Sequence, residues 1–116
     1  MYIKTETSIK RVLKKANNIE GKKVILASDW TTSAFGSRLE RQVICHWKDR
    51  QYQPYVTWTQ FVEFPDEYNG NNYNVYMTNG GYYETVEEAK KCFEASCELY
   101  LKHLYKNYNH VVELNI

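Results

Sequence analysis

Several kinds of residue are scarce in this 116-residue chain, and each scarcity excludes a class of protein. The 5 glycines and 2 prolines leave no flexible linker, low-complexity tract or internal repeat. The longest uninterrupted apolar run, residues 24–27, is far shorter than the ~20 residues that span a bilayer. The first residues, MYIK, match neither a signal peptide nor a transit peptide. The sequence therefore predicts one compact cytoplasmic domain that has no membrane partner.

Cysteine and histidine are also few, and they are scattered. An odd number of cysteines, 3, favours reduced thiols over a disulfide framework, and there is no C-x-x-C or clustered His/Cys spacing for a metal. No G-x-S-x-G, H-E-x-x-H, P-loop or G-x-G-x-x-G motif occurs. Cys45 and His46 are adjacent on a predicted strand, so they point to opposite faces of the sheet and cannot pair as thiolate and imidazole. We expect no cofactor, no metal and no enzymatic activity.

Hydrophobic periodicity predicts two helices with strands between them. Ile9, Val12, Leu13 and Ala16 recur at helical spacing, which predicts a first helix from Thr5 or Thr7 to Asn17. Alternating, β-branched and aromatic segments predict strands at residues 23–30, 39–47, 52–63 and 73–78, with Pro54 near the start of the third.

The Asn79-Gly80 pair predicts a turn, because both residues accept positive φ. The turn would lead to a short strand at Tyr82-Tyr83 or would only break the chain before the last helix. Thr85 and Glu88 form a capping box that begins a second helix, predicted to continue to about Lys106. The remaining residues 108–116 fit a short strand or a frayed tail. The fold expected from this order is a single α+β domain, α-β-β-β-β-α, with a mostly antiparallel sheet and two helices packed on one face.

Charge is distributed unevenly although the formal net charge is only +1. Residues 1–23 hold seven basic and two acidic side chains, whereas residues 61–116 hold nine acidic side chains and four lysines. Such asymmetry can steer a charged partner to one end of a protein, or the two ends can simply attract each other. One candidate nucleic-acid-binding set lies on the first helix, where it would contact phosphates or form a solvated face: Lys10, Arg11, Lys14 and Lys15.

Aromatic residues exceed what a core of this size needs, with 11 Tyr and 3 Trp. Tyrosine, tryptophan and arginine dominate binding hot spots, so the excess indicates a binding surface on one sheet face and its adjoining loops, 31–38 and 64–72. The alternative is that the tryptophans are core and most tyrosines surround it. The candidate partner-binding residues are Phe35, Arg38, Tyr55, Trp58, Tyr68, Tyr73, Tyr76 and Tyr82.

Residues 73–81 followed by residues 85–93 resemble the strand-turn-helix ending of double-stranded RNA-binding domains, whose helix-strands-helix order is also similar. The resemblance covers about thirty residues and implies a nucleic-acid-binding module. The chain departs from the family at the start of the last helix, where Glu87 and Glu88 replace a basic cluster and only Lys90 and Lys91 follow.

In style, a short Tyr- and Asn-rich chain with polarised charge and no catalytic set resembles small accessory proteins of phages and mobile elements, including anti-CRISPR inhibitors. This resemblance implies a non-enzymatic phage inhibitor that occupies a functional surface of a host nucleic-acid-handling protein or ribonucleoprotein. No residue can be carried over, because the group shares no motif. A second semi-apolar strip on the last helix leaves a homodimer open, with Leu99 near its centre: Cys92, Ala95 and Leu99.

Overall fold

The computed structural model describes residues 2–3, 9–32, 36–66, 70, 72–97 and 111–113. It contains two helices in those ranges, α1 (Ile9–Lys15) and α2 (Val86–Ser96). Its strands are β1 (Tyr2–Ile3), β2 (Asn18–Ile19), β3 (Lys22–Ser28), β4 (Thr31–Thr32), β5 (Arg38–Trp47), β6 (Tyr55–Glu63), β7 (Tyr73–Tyr83) and β8 (Val111–Glu113). The predicted single α+β domain, with a helix before and a helix after the main strands, is confirmed.

The strands form one antiparallel sheet in the order β1-β7-β6-β5-β3-β2, with β4 also on β5 and β8 also on β3. Its centre is the meander β5-β6-β7, whose strands are rich in the β-branched and aromatic residues that suit a pleated surface. Pro54 directly precedes β6, as predicted, where its missing N–H costs no ladder hydrogen bond.

The two helices pack on opposite faces of the sheet, which corrects the expected placement on one face. Leu39 of β5 packs in the cluster around α1, whereas Ile44 of the same strand packs against α2. The two positions are an odd number of residues apart in an unbroken register, so they point to opposite faces. The reason lies in the strands, because the middles of β5 and β6 are buried on both faces and each face needs a covering element.

Strand β7 continues through Asn79 and Gly80, so the predicted turn is wrong. The pairing of β6 with β7 shifts register between Thr57 and Thr59, which marks a bulge opposite these residues. A Cβ atom on Gly80 would lie 2.8 Å from the Thr57 carbonyl oxygen and closer still to the Trp58 indole. The glycine therefore permits a close approach of β7 to β6 rather than a reversal of the chain.

The start of α2 is the predicted one. Thr85 is the N-cap, and its hydroxyl oxygen accepts a hydrogen bond from the backbone N–H of Glu88 at 3.3 Å. The same hydroxyl donates to the Glu88 carboxylate at 3.0 Å. The predicted extension of this helix to Lys106 and the position of Leu99 lie outside the described residues, as does the predicted start of α1 at Thr5 or Thr7. In the part of the chain that is described, no helix is long and apolar enough to cross a membrane.

Candidate functional site

A groove of about 300 Å³ opens on the sheet face that α1 covers. Strand β2 stands at one edge of the strand order and β7 stands near the other, yet both line this groove, so the sheet curls around it. Ile19 and Val75 belong both to the groove and to the cluster under α1, which makes the helix and the groove neighbours on one concave side. The lining residues are Ile19, Glu20, Lys22, Trp47, Trp58, Val75, Tyr76, Met77 and Tyr82.

Two tryptophans lie side by side in the groove. The rings of Trp47 and Trp58 are 5.7 Å apart between centroids and tilted by 54°. The pairing of the strands puts both rings on this face. Trp58 lies opposite Val43 of β5, which shares its face with Trp47, and Trp47 lies opposite Lys22 of β3. Trp58 is buried, whereas Trp47 is half-buried, so Trp47 offers the more accessible indole.

Two cations lie over these aromatic rings at the rim of the groove. Lys22 Nζ is 4.7 Å from the centroid of Trp47 and 6.0 Å from that of Trp58. The Arg50 guanidinium carbon is 3.9 Å from the centroid of Tyr82, which is 42% exposed, and 5.8 Å from that of Trp47. Lys22 also pairs with Glu20 at 3.7 Å. Flat aromatic faces beside cations are suited to a ligand that is both planar and anionic.

The predicted partner-binding residues do not share one face. Trp58 and Tyr82 line the groove, whereas Tyr73 is buried below α1. Tyr55 and Arg38 point to the opposite face, where Tyr55 packs edge-on against His46 and Arg38 lies 4.1 Å over the Phe61 ring. Tyr76 contributes to the groove lining, but its ring stacks on Phe61 and its hydroxyl accepts a hydrogen bond from Arg38 on that opposite face. Phe35 and Tyr68 lie outside the described residues.

Sequence reasoning did not assign Lys22 of the groove, or Arg50 beside it, to the binding surface, and it placed Trp47 only among the strand aromatics that could form an aromatic sheet face. The alternation of β5 correctly predicted that Trp47 shares a face with Val43 and Cys45. The pairing of β3 with β5 brings Lys22 over that face, but these strands are not sequence neighbours, since β4 intervenes. The pattern of residues within each strand does not predict which distant strand it pairs with.

The proposed nucleic-acid residues Lys10, Arg11, Lys14 and Lys15 are exposed on α1. Because α1 packs on the groove side, this basic helix surface belongs to the concave side of the molecule. Helix α2, on the opposite face, exposes Glu87, Glu88 and Glu94. The sheet therefore lies between the basic helix and the acidic residues of α2, so these two elements do not pair directly. That the two ends of the chain, residues 1–23 and 61–116, attract each other stays a prediction.

A buried polar network joins α1 to the sheet. The Arg41 guanidinium donates to Gln60 Oε1 and to Asn17 Oδ1, both at 2.8 Å, and lies 4.2 Å from the centroid of Trp30. Gln60, which is fully buried, donates in turn to the carbonyl of Ala16 at 2.8 Å. Burial lowers the pKa of Arg41 to about 10. The two groups that accept from Arg41 are neutral side-chain amides, so the network contains no ion pair. Because it holds Ala16 and Asn17, which follow α1 directly, it fixes the end of the helix against the sheet.

The three thiols differ in their environments. Burial raises the pKa of both Cys45 and Cys97 to about 12. Burial also acts to raise the pKa of Cys92, but hydrogen bonds with Thr57, Tyr83 and Ser96 outweigh it, so the net pKa of Cys92 is lowered. Cys45 packs in the core, on the face opposite to His46, as predicted. Within the described ranges, no group of three or more His, Cys, Asp or Glu side chains is placed to hold a metal ion.

These environments predict the order of thiol reactivity. Of these three thiols, only Cys92 is expected to be alkylated by iodoacetamide in the native protein at neutral pH, because it alone combines partial exposure with a lowered pKa. Peptide mass spectrometry after a timed reaction identifies the modified residue. Thr57→Val removes one hydrogen bond to the thiol and is expected to slow the reaction. Alkylation of Cys45 at the same rate as Cys92 would contradict the assigned burial.

Comparison of the chain with protein-family models, with curated proteins and with solved structures finds no match. The resemblances to double-stranded RNA-binding domains and to anti-CRISPR inhibitors remain predictions. The function is therefore argued from the groove and its surroundings.

Proposed function

We propose that this chain is a non-enzymatic binding protein and that its concave side is the binding surface. The observation that carries the proposal is the placement of Lys22 and Arg50 over the rings of Trp47 and Tyr82 at an open groove. Aromatic residues and arginine in a partly desolvated depression are the usual anchors of tight binding.

The partner that this surface fits is a host nucleic-acid-handling protein or ribonucleoprotein, on which the chain acts as an inhibitor. Two features support this choice. The concave side combines the cationic groove with the basic surface of α1, so it complements an anionic assembly. The composition and small size of the chain are similar to those of phage accessory proteins that block such assemblies.

The test is capture of the partner from a bacterial lysate by the tagged protein, with matched variants. Wild-type protein is expected to enrich a nucleic-acid-handling protein at stoichiometric yield, and the double substitution Lys22→Glu with Arg50→Glu is expected to lose it. Lys91→Glu is the control, because Lys91 is exposed on α2, on the opposite face. No enrichment across candidate hosts, or equal loss with Lys91→Glu, would contradict the proposal.

A further inference from the structure

We infer that the concave side binds a single-stranded nucleic acid, with a base stacked in the groove and the phosphates along the basic surface of α1. This inference rests on the proposed function, because it uses the same binding surface and names the chemistry that the surface recognises within its partner.

The groove has the features of a stacking site for a base. Tyr82 is 42% exposed, and Trp47 is half-buried, so each leaves part of its ring accessible to a planar group. Proteins that bind single strands use such rings as platforms, since every base has a π-face. The volume of about 300 Å³ lies at the low end of small-ligand sites, so the groove suits a base rather than a folded element.

The groove and the basic helix α1 lie on the same face of the sheet. Lys22 and Arg50 lie at the rim of the groove, and Ile19 and Val75 connect the groove wall to the packing surface of α1. Helix α1 contains four basic and no acidic residues within Ile9–Lys15. Glu20 also lines the groove, and an incoming phosphate has to displace its 3.7 Å ion pair with Lys22. Cations beside an aromatic groove, with a basic helix on the same face, complement the regular charges of a nucleic-acid backbone better than those of a peptide with a few acidic residues.

The distribution of charge between the two faces of the sheet favours a single-stranded nucleic acid over a duplex. In a duplex the bases are stacked inside the helix and cannot enter a groove of this kind. The double-stranded RNA mode needs cations at the start of the last helix, where this chain exposes Glu87 and Glu88. That end of α2 lies on the face opposite to the one that α1 covers, so it adds no phosphate contacts to the groove.

The inference is tested by fluorescence anisotropy with labelled ten-nucleotide RNA and DNA strands, their duplexes and an abasic strand of the same length. We expect the single strands to bind at least about tenfold more tightly than the duplexes and the abasic strand, with an affinity that falls steeply as salt rises. Tyr82→Ala is expected to weaken single-strand binding by about 10- to 100-fold, whereas Tyr82→Phe retains it.

The helix contribution is tested in the same assay. The double substitution Lys10→Glu with Lys14→Glu is expected to weaken binding to every strand and to reduce its salt dependence, because phosphate contacts are lost. Lys91→Glu on α2 is the matched control and should leave binding unchanged. These residues are exposed, so the variants are expected to fold, which circular dichroism verifies.

Three results would overturn the inference: no binding at low salt, equal binding of single strands and duplexes, or equal competition by polyglutamate. Lysate capture after nuclease treatment separates this failure from failure of the proposed function. Suppose that oligonucleotides do not bind, but the tagged protein still captures its partner from the nuclease-treated lysate and the Lys22→Glu with Arg50→Glu variant does not. The surface then recognises protein, and only the inference about nucleic acid is wrong. If capture fails in untreated lysate as well, the proposed function falls with it.

Discussion

Replacement of Arg41 by alanine is expected to lower the free energy of unfolding by about 2–4 kcal/mol. The substitution leaves Gln60 Oε1, which belongs to a fully buried side chain, without its donor at 2.8 Å, and it removes the guanidinium that donates to Asn17 Oδ1 at 2.8 Å. It also removes the guanidinium that packs 4.2 Å from the centroid of Trp30. Relief of the buried charge offsets part of this loss, which sets the range below the sum of the separate costs.

Urea unfolding followed by tryptophan fluorescence measures the effect. Arg11→Ala removes an exposed arginine and is expected to change the free energy by less than about 0.5 kcal/mol. Arg41→Met combined with Gln60→Leu removes donor and acceptor together, so it should cost less than the two single substitutions added. Additive losses in this cycle would show that the two side chains do not act as one unit.

Gly80→Ala is expected to destabilise the protein by about 2–3 kcal/mol, although alanine normally suits a strand better than glycine. The new Cβ would meet the Trp58 indole and would lie 2.8 Å from the Thr57 carbonyl oxygen, which cannot move without shifting β6. The strain falls on the bulge and on the buried ring of the groove at the same time. We therefore expect a change in tryptophan emission of the native state together with the loss of stability.

Gly81→Ala provides the comparison for this prediction. Its nearest neighbour would be the Tyr83 hydroxyl at 2.7 Å, which is the far end of a side chain and can move away. The cost is expected to stay below about 1 kcal/mol. If the two alanine variants unfold at the same urea concentration, steric contact with Trp58 and Thr57 is not what requires glycine at position 80.

The local features of the fold were predictable because their causes are local. Alternation and β-branched residues indicated the four long strands, and the Thr85 and Glu88 pair indicated the start of α2, because each pattern satisfies the backbone where it occurs. The side of the sheet that each helix covers was predicted wrongly, because an amphipathic stripe shows only that a helix needs a partner. The bulge in β7 was also missed, since Asn-Gly suits a tight turn and a close strand contact equally.

The candidate site was predictable only in part, for a similar reason. Composition indicated an aromatic binding surface, but the pleat divides Tyr55 and Tyr76 from Trp58 and Tyr82. The cations of the groove come from the start of β3 and from the connection between β5 and β6, and only the tertiary pairing brings them over the rings. When the residues of a site come from distant strands, their spacing along the chain follows no fixed motif, so a single sequence does not predict that they meet.

The order of the strands also determines when the binding surface is completed during folding. The meander β5-β6-β7 joins neighbours through connections of seven residues, 48–54, and nine residues, 64–72, so its closure costs little chain entropy. In contrast, β8 pairs residues 111–113 with residues 26–28, and β1 pairs residues 2–3 with residues 73–74. The groove does not use β1 or β8, but it needs β2 and β3 to join the meander through the pairing of β3 with β5 and to meet β7 across the curl. A chain emerging from the ribosome would therefore form the meander before it acquires its ability to bind.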